Sequence, residues 1–190
     1  MDIATDFFSW LMPQIDRIWE EPAFQVEISE RLHSIHEDLT WEVGPDIVKP
    51  QFFAISPNCD PQLLAITVAL IRMAPEHAEW AFYAAKPPKL WTSRQFEAQV
   101  GEDRIRVVFD DWTYVLTASA NGNSGDVTFF PSSADDDLEV GLLQGFAELF
   151  VLFEVGELAY IERIDKISVE RRDEAETPVE YFSQEVEALD

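Results

Sequence analysis

Gln51-Phe52-Phe53-Ala54-Ile55-Ser56 is a short apolar run of the kind that forms a buried strand, and Trp80-Ala81-Phe82-Tyr83-Ala84-Ala85 is a second. Between them, Asn58 or Asp60 stands as an N-cap before Pro61. Proline suits a first helical position, because its φ is already set and its missing N–H would be unpaired there anyway. The segment Pro61 to Met73 therefore predicts a helix, and Pro87-Pro88 closes the second strand. The connection is long enough to join parallel strands by a right-handed crossover. A strand, helix, strand unit thus sets the fold class.

Upstream, Asp6 to Glu20 places Phe7, Phe8, Trp10, Leu11, Ile15, Ile18 and Trp19 at helical spacings, with Thr5 or Asp6 as N-cap and Pro13 as a point of bending. A second helix is predicted from Ala23 to Asp38, with Phe24, Ile28 and Leu32 on one face. Thr40-Trp41-Glu42-Val43 reads as a strand ended by Gly44-Pro45. Downstream, strands are expected at Arg104 to Phe109, Thr113 to Ala118 and Asp126 to Phe130. The turn residues Asp110-Asp111-Trp112 and Asn121 to Gly125 lie between them, so the three read as an antiparallel meander. Asp135 to Asp137 are expected to cap a helix running to Phe153, and Ile161 to Val169 is a last strand. The expectation is one α+β domain over residues 1–170, with a mixed sheet and two N-terminal helices. Residues 171–190 form an acidic tail or short helix.

The chain has 190 residues, 37 acidic against 13 basic, a formal charge of −24. Disordered acidic segments lack aromatics, whereas this chain carries 14 Phe, 6 Trp and 4 Tyr and has a core to build. Such a charge favours a cationic partner and disfavours nucleic acid and anionic membrane, since both need Lys and Arg facing phosphate. The most apolar stretch, Val140 to Val155, is interrupted by Glu148 and Glu154 and is too short to span a bilayer. The acidic N-terminus is unlike a secretory signal, and the single Cys59 suits a reducing compartment, so a cytoplasmic location is expected.

Ala74-Pro75 followed by Trp80-Ala81-Phe82-Tyr83-Ala84-Ala85-Lys86-Pro87-Pro88 resembles a family of uncharacterised bacterial proteins. These pair a helix ending in an Ala-Pro step with a Trp-x-Phe strand ending in a Lys-Pro or Arg-Pro step. Leu39-Thr40-Trp41-Glu42-Val43-Gly44 and Phe153-Glu154-Val155-Gly156-Glu157 are similar as well. Members of such families are sometimes found beside toxin and immunity genes. The resemblance implies the fold and carries no chemistry onto named residues.

Several residues qualify as sites, each beside a plainer role. His33 and His36 lie three apart on a predicted helix, near enough to share a metal, or are simply two surface histidines. His77 is the only other histidine. Cys59 beside a helix start has the setting of an activated thiol, but Asp60 opposes its ionisation. Asp110-Asp111 and Asp135-Asp136-Asp137 with Glu139 are turn and cap residues or an acidic docking surface. Lys86-Pro87-Pro88-Lys89-Leu90-Trp91-Thr92-Ser93-Arg94 is a basic exception on an acidic chain, with Trp91 as an interface anchor or a packed indole. No phosphate loop, nucleophile elbow or dinucleotide fingerprint is present, and no cofactor is implied. The sequence thus favours a non-enzymatic module that binds a basic protein, as an immunity-type inhibitor of a basic toxin would. The alternatives are a metal-assisted hydrolase using His33, His36 and an acidic cluster, and a subunit of a homo-oligomer such as a homodimer.

Overall fold

A computed structural model describes residues 3–171 and 177–189, and the chain forms two compact units, Met1–Pro87 and Pro88–Asp190. Both mix helices with sheet, so the α+β class holds.

The first unit opens with α1 (Ile3–Leu11), which passes directly into a 3₁₀ helix over Met12–Trp19. The change of helix type falls at Pro13, where an α-helical hydrogen bond is lost and the ring crowds the preceding turn. Phe7, Phe8, Leu11, Ile15 and Ile18 are buried along both halves. Then α2 (Pro22–His33) starts on a proline and stops well short of Asp38. Strand β1 (Thr40–Pro45) pairs antiparallel with β2 (Gln51–Ser56), from Thr40 opposite Ser56 to Pro45 opposite Gln51. Helix α3 (Pro61–Ile71) links β2 to β3 (Trp80–Tyr83), and these strands run parallel, Gln51 beside Trp80 and Ala54 beside Tyr83. The Asp60 carboxylate accepts the Gln62 N–H at 2.8 Å, as an N-cap should. Asn58 and Cys59 both adopt positive φ, 54° and 61°, in the turn before it. The core of the unit includes Phe24, Ile28, Leu32, Phe53, Ile55 and Trp80.

The second unit contains a hairpin and a four-stranded mixed sheet. Strand β4 (Gln95–Val100) pairs antiparallel with β5 (Asp103–Val108). Strands β6 (Thr113–Ala118) and β7 (Gly125–Phe130) form a second antiparallel pair. The three-strand meander is thus corrected: β5 pairs with β4, a strand the sequence did not reveal, and belongs to another sheet from β6. The reason lies in Phe109–Asp111, a 3₁₀ turn that carries the chain out of one sheet and buries Trp112 before the next begins. Helix α4 (Val140–Arg163) returns the chain to β8 (Ile164–Val169), parallel to β7, and β9 (Thr177–Pro178) pairs antiparallel with β6. The sheet order is β8-β7-β6-β9, and α5 (Phe182–Glu187) follows. Part of the acidic segment, residues 172–176 and 190, lies outside the described residues. Asp135 to Asp137 do not cap α4. Asp135 ends a separate 3₁₀ turn, and Glu139 holds the N-cap position without a side-chain bond.

Aromatic rings fill this second core. Phe109 packs on Trp112 and on Phe150, each at 4.6 Å between centroids, and Tyr114 meets Phe182 edge-on at 5.1 Å. Among the described residues the buried Tyr114 hydroxyl has no well-formed hydrogen bond, although the Glu185 carboxylate lies close enough to act on it. Burial, and then the Glu185 carboxylate, hold its ionisation above the ordinary value of 10.0. The folded state therefore carries a neutral phenol whose contribution is complete below about pH 10 and is lost as pH rises further. Denaturation of wild type and Tyr114→Phe at a series of pH values should show the variant at least as stable at pH 7. It should also be less sensitive than wild type above pH 10; parallel profiles would refute this.

Helix α4 is interrupted at Gly156, whose φ of 79° and ψ of 162° lie in a region essentially restricted to glycine. Glu154 and Glu157, on either side of the break, are buried. Gly156→Ala should destabilise the protein by about 1–3 kcal/mol, read from urea denaturation monitored by tryptophan fluorescence. An unchanged midpoint would show that the break does not depend on glycine.

Candidate functional site

The helix break places the Glu154 carboxylate inside the second unit, with only 5% of its side chain exposed. A charge so buried is costly unless it is paired and hydrogen-bonded. Three donors meet it. Trp91 Nε1–H and Arg94 Nε–H both donate to Glu154 Oε2 at 3.0 Å, and a second Arg94 N–H donates to Oε1 at 2.8 Å. Arg94 thus forms the bidentate fork for which guanidinium and carboxylate are matched. Its remaining terminal nitrogen lies 3.8 Å from Asp110. The Trp91 ring packs among Phe96, Phe150 and Phe153 at 5.6–5.9 Å. Trp91 and Arg94 of the basic segment are therefore fixed within the fold, and the indole is packed in a ring cluster. Lys89 lies over the Phe153 ring at 5.2 Å, and burial lowers its pKa.

The acidic clusters divide into anchors and exposed groups. Asp135 is buried, and its Oδ2 accepts Trp112 Nε1–H at 2.8 Å and the Ser132 hydroxyl at 3.1 Å. Its carboxylate therefore braces the fold, which corrects its place among the docking residues. Asp110 and Asp111 belong to the turn immediately before Trp112, so the Trp112–Asp135 bond ties both acidic turns together. Asp110, Asp111, Asp136, Asp137 and Glu139 are exposed. Arg171 holds the second turn from behind, donating to the carbonyls of Asp136 and Leu138.

A groove of about 210 Å³ opens at the helix break, walled by Val155, Leu158, Ala159 and Val186 and bordered by the exposed Glu162 and Glu187. Arg163 also lines it, but its guanidinium donates to the carbonyls of Val186, Glu187 and Leu189 at 2.7–3.1 Å. Positive charge at those terminal carbonyls compensates the negative end of α5.

The paired histidines do not share a helix face. His33 is the last residue of α2, whereas His36 lies in the following turn with its Nδ1 accepting Asp38 N–H at 3.3 Å. The sequence missed the stop because Ser34 and Ile35 continue the helical spacing. His77 lies elsewhere in the first unit, its carbonyl accepting from Lys49 at 2.6 Å. Cys59 is half-buried in the turn before α3, and Asp60 rather than Cys59 caps that helix. Among the described residues no group of three or more His, Cys, Asp or Glu side chains is arranged to hold a metal ion. None of their helices is long and apolar enough to cross a membrane. In the sequence Glu154 interrupts an apolar stretch and falls in the Phe153-Glu154-Val155-Gly156-Glu157 match, and neither feature marks it as a buried acceptor. A lone carboxylate there, with Trp91 and Arg94 close together in another segment, was the available sign of the hub.

No family model, curated protein or solved structure matches the chain.

Removing Arg94 should expose how far the hub depends on pairing. Arg94→Met leaves a buried carboxylate with the indole as its remaining donor in this cluster, and should cost about 1–3 kcal/mol. Adding Glu154→Leu should recover part of that loss in urea denaturation. A double variant less stable than Arg94→Met alone would refute a hub held together by charge pairing.

Proposed function

We propose that this protein is an acidic protein-binding module that docks a basic partner, in its most concrete form an immunity-type inhibitor of a cationic toxin acting in the cytoplasm. The observation that carries the reading is the pair of acidic turns. Asp110 and Asp111 on one, and Asp136, Asp137 and Glu139 on the other, are exposed and joined through the buried Trp112–Asp135 bond. Carboxylates held on a braced backbone lose less freedom on binding than the same charges on a tail. A formal charge of −24 adds long-range attraction for a basic protein and raises its encounter rate.

The test is affinity capture from the native host's lysate at low salt, eluted by rising salt, with the protein and an Asp110→Asn, Asp111→Asn, Asp136→Asn, Asp137→Asn, Glu139→Gln variant as parallel baits. A basic protein should bind the wild type and elute as salt rises. With that protein purified, its association with the variant should slow by about ten-fold or more at low ionic strength. Equal association with both baits, or an empty eluate from folded wild type, would overturn the reading.

A further inference from the structure

We infer that the groove at the Gly156 break is a subsite for one lysine side chain of the partner. This deepens the docking reading and rests on it for the identity of the occupant. Four observations point to this chemistry. The groove's volume, about 210 Å³, falls below the ~300–1,000 Å³ of sites for drug-sized ligands and suits a single side chain. Its walls at Val155, Leu158, Ala159 and Val186 are aliphatic, and Leu158 is 46% exposed despite its size. Its lining carries three carboxylates, Glu154, Glu162 and Glu187, against the single guanidinium of Arg163. Those charges are unevenly committed. Glu154 is neutralised by Arg94, and Arg163 is engaged with the carbonyls at the end of α5. Among the described residues Glu162 and Glu187 form no ion pair.

An aliphatic lining together with exposed carboxylates matches a lysine, whose four-carbon stem covers apolar surface while its compact ammonium stays at the water boundary. A neutral aliphatic chain gains only the walls, and a small cation gains only the rim. Arg94 links Glu154, which lines the groove, to Asp110 on the first acidic turn.

The test uses short peptides, so that it does not depend on finding the partner. Backbone amide NMR of the full chain is titrated with N-acetylated, C-amidated Gly-Lys-Gly, and with the same peptide carrying norleucine in place of lysine. The lysine peptide should give saturable shifts at Leu158, Ala159, Glu162, Ser183 and Val186. The norleucine peptide, and the lysine peptide with a Glu162→Gln, Glu187→Gln variant, should bind at least about three-fold more weakly. Both glutamates are exposed, so the variant is expected to fold, and its amide spectrum verifies this. The five-site turn variant should keep the groove shifts, which separates failure of the turns from failure of the groove. Equal binding of the norleucine peptide, unchanged binding by the glutamine variant, or shifts confined to other surfaces would overturn the subsite.

Discussion

The second unit is organised around a negative charge enclosed by aromatic rings. Glu154 lies on a helix whose neighbouring side chains include Phe150, Val151 and Phe153, and removing its carboxylate from water is unfavourable by several kcal/mol before any pairing. Trp91 and Arg94 offset that penalty with three donors, two of them on one planar guanidinium. To do so, the chain leading into β4 must lie against α4, and the Lys89 N–H fixes it there by donating to the Phe153 carbonyl at 2.8 Å. Phe109 N–H in turn donates to the Arg94 carbonyl at 2.8 Å, bringing the acidic 3₁₀ turn to the same place. Pairing one buried carboxylate thereby positions both a structural loop and part of an exposed surface.

The break at Gly156 makes this geometry available. An uninterrupted α-helix carries positions 154 and 157 on one stripe and continues in a single direction. With glycine in a conformation closed to other residues, the chain after it turns away. Glu154 and Glu157 are both enclosed, while Leu158 and Glu162 face outward. The segment beyond the break also brings Arg163 to the last carbonyls of α5, so the terminal helix is held by a cation placed from another element. The groove lies where residues on both sides of the break meet α5 and Pro88.

Local patterns made the first unit largely legible. Alternatives at its boundaries were settled by single residues: Pro13 changed the helix type, Pro22 began α2, and Asp60 capped α3. In the second unit the sequence carried less. Gln95 to Val100 alternates Phe96 and Ala98 with polar residues, but the basic, proline-bearing segment before it hid the strand. Asp110-Asp111-Trp112 has hairpin composition, yet Trp112 is fully buried and draws the chain into a different sheet. Tertiary packing decided that turn, and local propensity had no means of expressing it. Similarly, Asp135 looks like any cap in sequence. What distinguishes it is an indole N–H from a residue 23 positions earlier.

These differences change the meaning of the acidic composition. Carboxylates that look equivalent in the sequence perform opposite tasks once folded. Asp135 and Glu154 accept hydrogen bonds in protected positions, where salt screens little, whereas Asp136, Asp137 and Glu139 stand in solvent, where screening is strong. Ionic strength therefore acts mainly on the exposed group and leaves the brace beneath it in place. Because the brace joins the two turns, their exposed carboxylates are held in one fixed arrangement.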